Sequence, residues 1–79
     1  MINVLDLISL FETEFEEIEK GVLSPQSNFK KEIRWDSMNS LIFIIAVEVK
    51  FGVLISDEEI SKLNTINELC ECINKRINE

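Results

Sequence analysis

With 79 residues, the chain has room for one domain (1–79), close to the lower size limit for a core that folds unaided. Its 46% hydrophobic content argues against disorder despite a net charge of −7, and so short a chain leaves little for a deep catalytic cleft. The absence of histidine removes the commonest general base and metal ligand, and the acidic balance excludes nucleic acid while suiting a partner with a basic surface.

In chain order, Val4, Leu5, Ile8, Phe11, Phe15 and Ile18 recur at helical spacing, with Glu12, Glu14, Glu16, Glu17 and Glu19 between them. Asn3 reads as the N-cap of this first helix and Gly21 as its stop. Residues 21–36 hold the only proline, Pro25, and read as a long loop anchored by Phe29 and Ile33. So long a loop in so small a domain hints at function. A second helix is predicted from Ser37 to Phe51, ending at Gly52; it is rich in β-branched residues, but its length without a turn signal favours helix over strand. Ser56 with Glu59 and Thr65 with Glu68 each match the S/T-x-x-E capping box. They predict a short third helix over 57–62 and a fourth over 66–77, whose buried stripe is Ile66, Leu69, Ile73 and Ile77. The expected fold is all-α: a four-helix bundle with a long first loop and a short third helix.

The N-terminus lacks the basic start and unbroken apolar run of a signal peptide, and the run Leu41–Val47 is far too short to cross a bilayer. Cys70 and Cys72 sit two apart, a spacing that points their side chains in different directions on a helix and fits neither a disulfide nor a Cys-x-x-Cys site. Reduced thiols, a cytoplasmic location, no membrane span and a monomer are the expectations.

The feature that bears most on function is Ser37. It follows Trp35 and Asp36 and opens the second helix, close to the middle of the chain. Unpaired N–H groups and the positive end of the helix dipole favour a phosphate there. Read alone, Ser37 is an ordinary capping serine, and Asp36 is a second candidate for that cap.

The wider pattern resembles the acyl carrier protein family. Phe29 and Ile33 match the family's loop phenylalanine and loop aliphatic, eight and four residues before its serine. Asp36-Ser37-Met38 matches the Asp-Ser-Leu attachment motif, and Phe51 matches the phenylalanine that closes the second helix. Ile55-Ser56-Asp57-Glu58-Glu59 matches the aliphatic-Pro-Asp-Glu-Glu segment, and Thr65-Ile66 the Thr-Val that opens the last helix. The likeness runs without a gap over residues 29–77 and is looser over the first helix. It implies an acyl-carrier-protein-like bundle that is not an enzyme and has no metal site of its own. It also implies a 4'-phosphopantetheine arm on Ser37, taken from coenzyme A by a separate magnesium-dependent phosphopantetheinyl transferase, with Asp36 facing that transferase. The cargo would be an acyl or aminoacyl thioester exchanged with acyl-loading and acyl-transfer enzymes of fatty-acid, cell-surface glycan or secondary-metabolite biosynthesis. A freestanding carrier is expected rather than a piece of a larger synthase.

Two departures stand out. Met38 replaces leucine, a volume-conserving exchange. In familiar fatty-acid carriers the exposed face of the second helix is rich in glutamate; here Leu41, Ile42, Ile45 and Val49 take corresponding positions, with Glu48 as the main acid. These five residues are the candidate docking face, opposite a buried face of Phe43, Val47 and Phe51. A competing expectation is that this helix is rotated or more deeply buried. Phe43, Val47, Ile55, Ile60, Leu63 and Leu69 are either core or the lining of an acyl cavity between the second and third helices. Lys30, Lys31 and Arg34 form a basic cluster upstream of Ser37, either solvated or near the phosphate. The alternative function is an unmodified acidic helical adaptor that binds a partner through its apolar second helix.

Overall fold

The computed structural model describes residues 1–79 as five helices: α1 (Val4–Glu14), α2 (Phe29–Glu32), α3 (Ser37–Phe51), α4 (Asp57–Ser61) and α5 (Ile66–Ile77). The long helices α1, α3 and α5 enclose the core, with α1 packed against both others and α4 against α3. No helix is long and apolar enough to cross a membrane.

Local chemistry sets most of the helix starts. Asn3 with Asp6, Ser56 with Glu59 and Thr65 with Glu68 each form a reciprocal capping box at α1, α4 and α5. Gly52 ends α3 in the left-handed region at φ 71°, where its N–H reaches the Glu48 carbonyl. The third predicted helix stops one residue early, at Ser61, and the fourth has the expected bounds.

The first helix is shorter than its periodicity suggests. It ends at Glu14, and Phe15 is extended. Continuing would stack Glu16, Glu17 and Glu19 on the negative end of the helix dipole. Leaving the helix still buries Phe15 and Ile18, because the chain folds back over the bundle. Within α1 the buried residues are Leu7, Ile8, Leu10 and Phe11, whereas Leu5 is exposed.

The long loop is not structureless. Asn28 caps the one-turn helix α2, and Phe29 and Ile33 are buried as expected. The segment is pinned to the start of α5 by backbone hydrogen bonds: Phe29 N–H to the Asn64 carbonyl (3.2 Å), Ile66 N–H to that of Ser27 (3.1 Å) and Asn67 N–H to that of Pro25 (2.9 Å). Phe11 lies at the centre of the aromatic core, 4.9 Å from the Phe43 ring and 5.9 Å from that of Phe29. Trp35 closes this cluster edge-on, 5.0 Å from Phe29 and 5.9 Å from Phe43.

Candidate functional site at the start of the long central helix

Asp36, not Ser37, caps α3. Its extended backbone and carboxylate serve the Asn39 N–H at 2.8 Å, and its carbonyl accepts from the Ser40 N–H at 2.9 Å. Asn39 in turn donates its side-chain amide to the Arg34 carbonyl at 2.6 Å, tying the end of the loop to the first turn. Ser37 is thus the first residue inside the helix. It is exposed, and its hydroxyl has no part in the cap. The Ser37 and Met38 N–H groups lack acceptors within the helix, so they and the dipole face the same solvent as the hydroxyl.

Beside Ser37 lies a concavity of about 520 Å³, lined by Trp35, Asp36, Ser37, Ser40, Asp57 and Ser61, with Lys30 at its edge. Ser40 is the one buried polar residue of the chain, and its hydroxyl donates to the Asp57 carboxylate, joining α3 to the start of α4. Lys30 donates to the Ser61 carbonyl at 2.8 Å and sits 5.7 Å from the Phe29 ring centre. It therefore ties the loop to α4. Arg34 is largely exposed and pairs with Asp36 at 3.6 Å, while Lys31 is exposed. The basic cluster is thus divided among three environments. Trp35 both packs on the aromatic core and walls the concavity.

On the outer side of α4, Arg76 of α5 donates to Glu59 at 3.1 Å. With the Ser56 groups, it holds the Glu59 carboxyl down from the usual 4.5 to about 2, against a smaller opposing effect of desolvation. The Glu68 carboxyl is also lowered, chiefly by the Thr65 and Asn64 N–H groups. Desolvation raises both Cys70 and Cys72, so neither is a ready thiolate.

The remaining sequence expectations divide. Leu41, Ile45 and Val49 are 56%, 50% and 81% exposed, and Glu48 is exposed with them. Ile42 is not an open surface residue: it is half-buried and packs against the core. Phe51 is likewise only partly buried. Of the two placements expected for the residues between the second and third predicted helices, core or cavity lining, the structure has them in the core. Phe43, Val47, Ile55, Ile60 and Leu69 lie in one close-packed cluster with Leu63 against it, because these side chains fill the space among α1, α3 and α5. A groove of about 530 Å³ lies instead on the other side of α3, against α1.

Two positioning residues, Asn39 and Ser40, escape the sequence reading. Ser40 could have been found from its register, since it lies on the same helical face as Phe43 and Val47. Asn39 carries no comparable signal.

A short helical bundle with an exposed serine just inside the N-terminus of its central helix is the architecture of a carrier domain. The fold resembles the holo acyl carrier protein of Geobacter metallireducens (TM-score 0.77, 22% identity, covering 99% of this chain and 88% of that one). It also resembles the acyl carrier protein of Thermotoga maritima (TM-score 0.73, 20% identity, covering 95% and 86%). Residues 6–73 match the family model described as the phosphopantetheine attachment site. An acyl carrier protein of Thermosynechococcus vestitus is 38% identical over 53 residues, 67% of this chain and 65% of the relative. One from Rickettsia canadensis is 28% identical over 58 residues, 73% and 67% of the two chains. The chain therefore belongs to the phosphopantetheine-attachment family of acyl carrier proteins, for which 4'-phosphopantetheine is the prosthetic group.

Proposed function

We propose that Ser37 is the attachment residue and that the chain carries acyl or aminoacyl groups between enzymes. One observation supports this above the rest. Asp36 does the capping, so the Ser37 hydroxyl stands exposed and uncommitted at the positive end of α3. The residues fit a phosphate-linked arm: the Ser37 and Met38 N–H groups can meet the phosphate, and the polar concavity beside Trp35 and Ser40 offers room at its base. When attached, the arm supplies a terminal thiol on which cargo is held as a thioester.

The chain's own part is presentation. Asn39 and Asp36 hold the first turn of α3, and Trp35 and Phe29 hold the loop that enters it. A serine hydroxyl needs a strong base to become a nucleophile, and the neighbouring carboxylates are engaged elsewhere: Asp36 in the cap and Asp57 with Ser40. Base and magnesium are therefore assigned to the phosphopantetheinyl transferase. Leu41, Ile45, Glu48 and Val49, with Ile42 behind them, are assigned to docking of acyl-loading and acyl-transfer enzymes. Their apolar character favours a specialised acylation, such as cell-surface glycan or secondary-metabolite synthesis, over housekeeping fatty-acid synthesis.

Incubation with coenzyme A, magnesium and a broad-specificity phosphopantetheinyl transferase, read by intact mass, tests the assignment. The parent should gain one phosphopantetheine and Ser37→Ala none. No gain in the parent, with a control carrier modified in parallel, would overturn it and favour the unmodified adaptor.

A further inference from the structure

Ser37, Leu41, Ile45 and Val49 stand four residues apart, so they form one row along the surface of α3. Ser37 is exposed, and its three apolar successors are each at least half exposed. The row begins at the proposed attachment residue and ends in the groove between α1 and α3. Leu10, Ile42 and Ala46 form the floor of that groove, Ser9 and Thr13 one wall, and Ile45 and Val49 the other. Its only charged lining is one acid and one base, Glu14 and Lys50, so it attracts neither sign of ion. The concavity on the other flank of Ser37 is opposite in kind, since apart from Trp35 its lining is polar or charged. The interior behind the helix is filled by Phe43, Val47, Ile60 and Leu69. A neutral aliphatic chain tethered at Ser37 therefore meets continuous apolar surface along this row.

Length sets what can reach the groove. From Ser37 to Ile45 the helix advances roughly 12 Å, at about 1.5 Å per residue. A phosphopantetheine arm has about thirteen bonds between phosphorus and sulfur, and an extended chain gains roughly 3.3–3.6 Å for every three bonds. The thiol thus reaches about 14–16 Å, level with Ile45 and Ala46 at the mouth of the groove. Lys50 marks the far end roughly 6–8 Å beyond, which is room for about six carbons. We infer that the groove between α1 and α3 is the resting place of the carrier's own cargo, a neutral aliphatic acyl group of about six to eight carbons, laid along Leu41 and Ile45. The floor of Leu10, Ile42 and Ala46 takes the methylenes out of water. An aminoacyl group is disfavoured there, because an ammonium beside the thioester would lose water against Ile45 and Ala46. This deepens the carrier reading, on which it rests, by naming the class of cargo. The groove is also tested on the unmodified chain, so the two readings fail separately.

The protein is loaded with hexanoyl- or acetyl-phosphopantetheine from the matching coenzyme A thioester by a broad-specificity transferase, and the two forms are compared by NMR. The hexanoyl form should shift the amides of Ser9, Thr13, Ile45 and Val49 relative to the acetyl form. Its methylenes should give nuclear Overhauser contacts to the methyl groups of Leu10, Ile42 and Val49. Ile45→Glu and Val49→Glu should each remove at least about half of these differences while circular dichroism stays unchanged. Free S-hexanoyl and S-acetyl pantetheine are titrated in parallel into the unmodified chain, at the millimolar concentrations that a short tether supplies. At about half burial each methylene gives roughly a twofold gain, so the hexanoyl compound should bind roughly tenfold more tightly, and in the same groove. Failure of loading would count against Ser37 as the attachment residue and leave the free compounds to decide the groove. Hexanoyl shifts confined to Phe43, Val47, Ile60 and Leu69, an equal response to both acyl groups, or no response would overturn the inference. So would self-association of the unmodified chain through Ile45 and Val49.

Discussion

Replacing Phe29 by alanine tests whether the segment before Ser37 is held by the core or merely rests on it. Phe29 is fully buried, with the Phe11 ring at 5.9 Å and the Trp35 ring at 5.0 Å. Truncating a buried phenylalanine costs about 3–5 kcal/mol in lost transfer energy and cavity formation. Each aromatic neighbour adds roughly 0.5–1.5 kcal/mol beyond area, which places the expectation in the upper half of that range. A domain of this size has a total stability of roughly 4–12 kcal/mol, so the variant should be barely folded. The melting temperature should fall by roughly 15–30 °C. Urea unfolding followed by far-ultraviolet circular dichroism measures the loss, with Phe29→Leu as the control that keeps most of the volume and should lose less than half as much. A loss below about 1.5 kcal/mol for Phe29→Ala would refute the reasoning, because the loop would then be free to move independently of the bundle.

The Glu59–Arg76 pair predicts acid sensitivity. Glu59 is lowered from 4.5 to about 2, so its contribution is present above the unfolded value and lost as pH falls between these limits. A Glu59→Gln variant should lose less stability than the parent across that window, and equal losses in a pH series of urea titrations would sink the assignment. On α3, Ile42→Glu should destabilise by about 1–3 kcal/mol because it places a charge against the core, whereas Ile45→Glu should stay within about 0.5 kcal/mol. Similar urea midpoints for the two would contradict their different burial.

The parts of the fold legible in the sequence are those with local punctuation. The Thr65–Glu68 box and its following stripe predict α5 end to end, and Gly52 marks the stop of α3 through its left-handed backbone. The end of α1 was illegible because Phe15 and Ile18 keep helical spacing after the chain has left the helix, and periodicity reports burial rather than backbone. The one-turn α2 was illegible for another reason: its partners, Asn64 to Asn67, lie nearly forty residues away. At the site, Ser37 and its neighbours stood out in the sequence and lie together in the structure. The groove did not, since it exists only where α1 and α3 pack side by side. Ile42 was assigned to the surface because its spacing sits between the two faces, and only that packing shows that it turns inward.

The hydrogen bonds between Pro25–Phe29 and Asn64–Asn67 divide the connection before Ser37 into two unlike halves. Residues 16–24 are held at fewer points, by Ile18 and Leu23 in the core and by the Gly21 N–H on the Glu12 carboxylate at 2.9 Å. Length added at the exposed positions between Ile18 and Leu23 therefore carries the small entropic cost of a longer loop. Residues 25–36 act as a ruler between α5 and the first turn of α3, its marks being Phe29, Ile33 and the Asn39–Arg34 tie. A peptide tag or fluorophore site is thus accommodated near Gly21 without disturbing the serine. One residue inserted between Phe29 and Asp36 would break the register of Trp35 and shift the point of attachment relative to every surface a partner reads.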